Sequence, residues 1–168
     1  MFGFKFPSID FEDFETWLKR SKYQNAIYLS NFDHWLSEDE VGEVSFMGYK
    51  QAGEIGKIDE FFEIQNKFLA FYETLSAQDI IYAESDKGKT LKEEFAKSRH
   101  RITNWLRNEN SNNKFSLFFP KYGVLAIAGW DFTDLLLLDK AANQDEIEEI
   151  AKKVGLFVIK KVNDNGEH

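Results

Sequence analysis

Residues 83–90 hold the residue types that could bind a nucleotide. They fit the relaxed phosphate-loop pattern, in which a small residue and four others are followed by Gly88, Lys89 and Thr90. A strand is predicted before this run and a helix after it, so loop amides and a helix N-terminus could hold phosphates. In this hypothesis Lys89 contacts the terminal phosphates. Thr90 holds Mg²⁺ together with Asp139, which ends an apolar run.

Three features weaken this nucleotide-binding hypothesis. The loop has one glycine, although an anion nest usually needs several residues with positive φ. Glu84 and Asp86 would bring negative charge close to the polyphosphate. A predicted turn at 120–123 joins antiparallel strands, whereas the phosphate-loop fold needs parallel strands. A nucleotide-binding enzyme or sensor using residues 83–90 and Asp139 is therefore the alternative function.

Two clusters that contain histidine suggest other chemistry. Asp33, His34 and Glu38 could converge on one helical turn, but two carboxylates and one imidazole are a common coincidence. Residues 99–101, Arg-His-Arg, combine the types that RNA cleavage uses. Three consecutive helical residues spread over about 200° and cannot all face one substrate. No metal site, cofactor or catalytic residue is predicted.

The candidate we favour is a surface on which carboxylates surround an aromatic side chain. Trp35 adjoins the densest acidic run of the chain, and an aromatic anchor ringed by carboxylates is typical of a hot spot for a basic protein. The predicted partner-binding residues are Asp33, Trp35, Glu38, Asp39, Glu40 and Glu43. The alternative is that Trp35 belongs to the core and that the acids form a solvated rim.

The distribution of charge also favours a basic partner. The 168 residues include 29 acids and 21 bases, for a net charge of −8. Residues 1–84 carry 16 acids and 7 bases, whereas residues 85–168 carry 13 acids and 14 bases. All of the net negative charge therefore lies in the first half. This argues against nucleic acid as the partner, although a basic run remains between Lys87 and Arg107.

Cysteine content and hydropathy limit the compartment and the class of protein. The absence of cysteine excludes a disulfide scaffold, a thiol catalyst and a Cys-ligated zinc site. No apolar core of a secretory signal follows residues 1–7. The longest apolar run is about seven residues, far below the roughly 20 that span a membrane. We therefore expect a cytoplasmic protein that does not enter a membrane.

Helical spacing of apolar residues dominates the first two thirds of the chain. The first predicted helix begins at Ser8 or Asp10 and ends at about Lys22, and two more are predicted over residues 58–75 and 90–108. A short strand is predicted over 79–83. Residues 26–50 are ambiguous, with possible strands at 26–29 and 44–49 and a short helix over 34–39. A polar seam at 108–113 is interpreted as a loop within one domain.

The last third changes to the patterning of strands. The predicted strands are residues 115–119, 124–128, 133–138 and 156–162. Between the last two, Asn143 and Glu146 resemble a capping box, and Gly155 ends the helix that they begin. The expected fold is α+β, with helices packed on one side of a mostly antiparallel sheet, helix-rich in its first half and strand-rich in its second. Residues 1–168 are expected to form a single domain.

Together these patterns predict a binding protein without catalysis. Its acidic face would neutralise a basic protein partner, and the favoured case is an immunity protein that inhibits a nuclease-like toxin. The 27 aromatic residues (17 Phe, 6 Tyr and 4 Trp) are otherwise expected to fill the core, since each buries a large apolar area.

Overall fold

One antiparallel sheet organises the part of the chain that is described. The computed structural model describes residues 3–77, 79–85, 88–107, 116–129 and 131–160, without the side chains of Arg101 and Trp105. Within these residues the helices are α1 (Phe14–Arg20), α2 (Glu38–Glu43), α3 (Tyr49–Glu54), α4 (Ile58–Ser76), α5 (Phe95–Arg107) and α6 (Gln144–Lys153). The strands are β1 (Tyr23–Ser30), β2 (Ile80–Glu84), β3 (Thr90–Glu94), β4 (Ser116–Phe119), β5 (Val124–Ile127), β6 (Thr133–Asp139) and β7 (Phe157–Lys160).

The described strands lie in the order β3-β2-β4-β5-β6-β1-β7, and all neighbours are antiparallel. Strands β4, β5 and nearly all of β6 are buried along their length, because their apolar residues are consecutive and both sheet faces are covered. In β1, Tyr28 lies opposite Leu135 of β6 and Ile159 of β7. The first strand of the chain therefore lies between the last two.

Most of the core lies between one face of the sheet and helices α3 to α6. Helix α4 places its apolar side chains at three- and four-residue steps, as an amphipathic helix must. Phe61, Phe68, Tyr72 and Leu75 are fully buried in this way. The predicted helix over 58–75 is confirmed, and Ala77, in a left-handed conformation, ends it.

The N-terminal segment and α1 cover the other face of the sheet. Phe4 stacks on Phe118 with ring centroids 4.1 Å apart. The indole N–H of Trp17 donates a 2.8 Å hydrogen bond to the carbonyl of Ser8. This second cluster, which includes Leu137, explains why a strand as apolar as β6 is buried on both sides.

The α+β class is confirmed, with helices concentrated in the first half of the chain and strands in the second. Asn143 caps α6 as predicted, because its side chain accepts the N–H of Glu146 at 3.3 Å. The predicted polar seam at 108–113 lies outside the described residues. Among the residues described, no helix is long and apolar enough to cross a membrane.

Four predicted elements differ from the structure. The first helix starts at Phe14 because the Asp10 side chain accepts the N–H groups of Glu12 and Asp13, at 3.0 and 3.1 Å, and holds a turn there instead. The strand predicted over 44–49 is wrong. This segment is the connection between α2 and α3, and its apolar pattern reflects the burial of Phe46 in the core.

The predicted helix over 90–108 is also wrong in its first turn. Residues 90–94 form β3, and the helix begins only at Phe95. The sequence Thr-Leu-Lys-Glu-Glu is rich in helix formers. Pairing with all five residues of β2 overrides this weak local preference. The short helix expected over 34–39 is likewise displaced and forms over Glu38–Glu43.

Candidate functional site

Helix α2 and the loop before it present the predicted acidic residues. Ser37 is the N-cap: its hydroxyl accepts the N–H of Glu40 at 3.3 Å, and the Glu40 carboxylate accepts the N–H of Ser37 at 2.8 Å. This reciprocal pair is a capping box, and acids in the first turn favour the helix dipole. No residue of α2 is buried. The helix therefore projects its carboxylates into solvent from a fixed start.

His34 links the loop to the helix. Its Nδ1 lies 2.5 Å from a carboxylate oxygen of Asp33, and its Nε2 lies 2.7 Å from one of Glu40. Hydrogen bonds to Glu40 first, and then to Asp33, raise the pKa of His34. The Ser37 N–H, followed by the His34 ring, lowers the pKa of Glu40 to about 2. A protonated imidazole thus holds these two carboxylates together at mildly acidic pH.

Trp35 is a surface residue and not part of the core, since 42% of it is exposed. Its ring packs edge-on against Tyr28 of β1, with centroids 4.7 Å apart. Both rings line an apolar groove of about 430 Å³, which we call the Trp35 groove. The groove is lined by Phe11, Phe14, Tyr28, Trp35, Ile127, Ala128, Gly129, Asp131, Thr133 and Leu135.

One end of the Trp35 groove is formed by the turn between β5 and β6. Asp131 and Phe132 both adopt positive φ, 52° and 55°, which is uncommon for residues other than glycine. Two contacts hold this turn. The N–H of Gly129 donates to Asp134 at 3.0 Å, and the N–H of Asn31 donates to the carbonyl of Phe132 at 3.0 Å. The strained conformation therefore persists because the surrounding core fixes it.

Below this turn, Asp134 is a buried carboxyl. It is 1% exposed, and its second oxygen accepts the hydroxyl of Tyr72 at 2.5 Å. Burial raises the pKa of Asp134 to about 6, against the smaller opposing effects of its two hydrogen bonds. The groove is thus connected to the core of α4 through Gly129, Asp134 and Tyr72.

Carboxylates flank the Trp35 groove on two segments of the chain. Residues 10–15 carry four acids, and residues 33–43 carry five, with no lysine or arginine in either segment. The first segment includes the groove residues Phe11 and Phe14, and the second includes Trp35. Residues from two strongly negative stretches of the chain therefore contribute to the groove lining.

The structure brings some of the predicted partner-binding residues together. Asp33 and Glu40 meet at His34, beside Trp35. The remaining predicted residues, Glu38, Asp39 and Glu43, are exposed on α2. Within the described residues, no group of three or more His, Asp or Glu side chains could hold a metal ion.

The residues of the alternative nucleotide site do not come together. Lys89 and Thr90 lead into β3, and the amides of Ser85, Gly88 and Lys89 donate within the β2–β3 connection itself. Asp139 lies on β6, four strands away from β3, which corresponds to about 19 Å. The helix N-terminus and the shared Mg²⁺ ligands that this hypothesis needs are therefore absent from the described residues.

The basic trio at 99–101 lies on α5. Arg99 pairs with Glu73 of α4 at 3.4 Å, and His100 is exposed. The side chain of Arg101 lies outside the described part of the chain. The contact of Arg99 with α4 indicates a structural role.

Sequence reasoning missed Asp131, Tyr28 and the two phenylalanines of the groove. Residues 129–131 carry no sequence signal of a binding site, and Tyr28 falls within the possible strand at 26–29. Their convergence depends on the pairing of β1 with β6, which no local pattern shows. The four acids of residues 10–15 are a sequence signal that could have identified Phe11 and Phe14 as candidate binding residues, since acids surround these two aromatic residues as they do Trp35.

The fold and site define an antiparallel α+β protein with an acid-flanked apolar groove. Comparison with known proteins yields no match, whether to a protein-family model, to a curated protein or to a solved structure.

The cap of α2 can be tested by Ser37→Ala. Loss of one cap hydrogen bond costs about 1 kcal/mol. Because α2 buries no residue, we expect this cost to appear locally. Amide hydrogen exchange in Glu40 to Glu43 should become about fivefold faster, while the melting temperature changes little. Ser37→Thr keeps a hydroxyl and serves as the control. Equal exchange in Ser37→Ala and wild type would show that the cap does not hold the helix.

Proposed function

We propose that this protein is a non-catalytic binding protein that holds a basic protein partner against the Trp35 groove and α2. The observation that carries the proposal is the position of Trp35. Its ring is exposed, lines the groove and adjoins Asp33 and the acidic helix. Binding hot spots combine such an aromatic anchor with a pocket, and complementary charges around them select the partner.

The flanking charges support a basic partner in particular. The nine carboxylates of residues 10–15 and 33–43 produce a negative potential that attracts cationic surfaces and speeds encounter at low salt. Most of them are exposed, so each contributes little to the lifetime of a complex. Burial of Trp35 in the interface would slow the dissociation of the complex.

We further propose that the partner is a nuclease-like toxin and that this chain is its immunity protein. A nuclease must attract phosphates, so Lys and Arg surround its active site. A protein with dense carboxylates can occupy that surface and exclude nucleic acid. The net charge of −8 supports this role and disfavours nucleic acid itself as the partner. The proposed site of action is the cytoplasm.

Charge reversal on α2 tests the proposed function. The variant is Glu38→Lys, Asp39→Lys and Glu43→Lys together; Glu40 is kept because it caps the helix. The matched control reverses three exposed acids elsewhere, Glu63, Glu94 and Glu149. The partner is captured by pull-down from cells that naturally make the protein. The products of neighbouring genes are tested directly as candidate partners. We expect its association rate at low salt to fall about tenfold or more in the α2 variant, and much less in the control.

Two results would contradict the proposal. One is a captured partner that carries no basic surface. The other is an association rate, and a dependence of that rate on salt, that are the same in the α2 variant and in the wild type. Inhibition of nuclease activity by the wild-type protein tests the finer proposal. A basic partner without nuclease activity would overturn that part alone.

A further inference from the structure

We propose that the Trp35 groove receives one lysine or arginine side chain of the partner, and that Asp131 is its counter-ion. This inference rests on the proposed function and specifies how the partner is recognised. It concerns the groove and not the exposed acids of α2, so the two can be tested separately.

Among the described residues that line the groove, Asp131 is the one carboxylate. No described residue forms a hydrogen bond or an ion pair with it. Partial burial raises its pKa, as expected for a carboxyl that has lost part of its water without gaining a partner. A carboxylate in this situation gains most from a cation that enters the groove, because the cation replaces the missing solvation.

The backbone of Asp131 has positive φ and belongs to a constrained turn. Its φ of 52° is held by the turn that Gly129 and Asp134 anchor. Backbone strain of this kind is often retained at binding sites. Here the constrained turn brings Asp131 to the wall of the apolar groove, where the residue is still exposed to solvent. This position is a reason to expect that the strain serves recognition.

The remaining walls suit the stem of a long basic side chain. Among the described residues, four aromatic side chains line the groove, those of Phe11, Phe14, Tyr28 and Trp35. Aromatic faces attract guanidinium and ammonium groups, and their apolar surface packs against the methylene stem. The volume of about 430 Å³ lies within the usual range of ligand pockets, about 300–1,000 Å³. One arginine or lysine side chain therefore fits.

An uncharged apolar side chain is a poorer occupant of the same groove. It would cover Asp131 without pairing it, and an unpaired buried charge is costly. The negative stretches at 10–15 and 33–43 also favour a cationic segment around the inserted side chain. The aromatic rings alone would bind an apolar side chain equally well. The negative charge of Asp131 and of the two acidic stretches therefore makes a basic side chain the favoured occupant.

The test uses capped arginine amide, capped lysine amide and the neutral isostere, capped citrulline amide. Each is titrated into the full-length protein and followed by NMR shifts of Asp131 and Trp35. We expect arginine and lysine, but not citrulline, to shift these residues and to lower the pKa of Asp131. Asp131→Asn should weaken arginine binding about tenfold, because a hydrogen bond to a charged group is lost. Asparagine tolerates positive φ, so this variant keeps the turn.

Asp145→Asn is the matched control, since it removes the same charge from an exposed position on α6, outside the groove and outside the proposed binding surface. We expect it to change arginine binding less than twofold, whereas Trp35→Ala should weaken it about threefold. Binding of citrulline as tight as that of arginine would overturn the inference. Unchanged arginine binding in Asp131→Asn, or shifts that spare the groove, would also overturn it. If the reversal on α2 slows partner association while Asp131→Asn does not affect the complex, the proposed function stands without this pocket.

Discussion

Replacing Gly129 by alanine is expected to destabilise the protein by about 3 kcal/mol or more. A Cβ at this position would lie 1.9 Å from the carbonyl oxygen of Thr133 and 3.0 Å from its carbonyl carbon. Both atoms belong to the backbone of β6, so no side-chain rotation can relieve the clash. The start of the strand would have to move, and with it the hydrogen bond from the Gly129 N–H to Asp134.

Gly42→Ala is the matched control for this substitution. Gly42 lies in α2, and nothing lies within 4 Å of the position of an added Cβ. Alanine favours the helix over glycine by up to about 1 kcal/mol, so this variant should be neutral or slightly more stable. Urea unfolding of both variants measures the difference. A free energy of unfolding for Gly129→Ala within about 0.5 kcal/mol of the wild type would show that the turn is not constrained.

The same substitution should also impair the Trp35 groove. Gly129 and Asp131 both line it, and they share the turn that the clash would displace. Thr133 forms a 2.8 Å hydrogen bond with Ser30 of β1, so a shift of β6 extends to the neighbouring strand. Folding and the shape of the proposed binding groove are therefore coupled at this end of the sheet, whereas reversal of the exposed charges on α2 should leave folding unchanged.

The elements that sequence predicts well are those whose information is local. Helix α4 follows from the spacing of Phe61, Phe68 and Tyr72, and the buried strand β6 follows from a run of leucines. The errors occur where another part of the chain decides. Residues 90–94 form a strand because β2 lies beside them, and Asp10 delays the start of α1 through its own side chain.

The candidate site is less predictable than the fold for the same reason. Trp35 could be identified because the acidic run follows it directly in sequence. The groove, in contrast, combines residues from α1 and the segment before it, from β1 and from the β5–β6 turn. Asp131 lines the groove because its turn adopts positive φ. Tyr28 lines the same groove because β1 pairs with β6, where Tyr28 lies opposite Leu135. Such convergence depends on tertiary structure, which periodicity and propensity do not contain.

The second large effect is expected from Asp134 and depends on pH. In the folded protein burial raises its pKa to about 6 from an ordinary value of 3.8. Between these values the folded carboxyl keeps a proton that the unfolded chain has lost. The contribution of Asp134 to stability is therefore largest below about pH 4 and falls as the pH rises to about 6. A pKa difference of this size corresponds to about 3 kcal/mol.

Asp134→Asn removes this titration while keeping the shape of the side chain. Its amide can still pair with the Gly129 N–H and the Tyr72 hydroxyl. We therefore expect the free energy of unfolding of the variant, relative to that of the wild type, to rise by about 2 kcal/mol between pH 4 and pH 7, since the unfolded carboxyl is still partly protonated at pH 4. The difference between the two proteins removes the contributions of all other titrating groups to the pH dependence of stability. One of these is Glu40, whose lowered pKa makes stability rise with pH instead of fall.

Tyr72→Phe provides the complementary test of the same buried pair. It removes the hydroxyl that hydrogen-bonds Asp134, and the ring can still stack on Phe119, 5.8 Å away. Without this donor the ionised carboxyl is less stabilised, so the cost of the substitution should be greater at pH 7 than at pH 4. In the Asp134→Asn background this dependence on pH should disappear, since nothing at the position titrates. Urea unfolding of the four proteins at both pH values measures this coupling. Equal costs of Tyr72→Phe at the two pH values would mean that Asp134 does not change its charge between them.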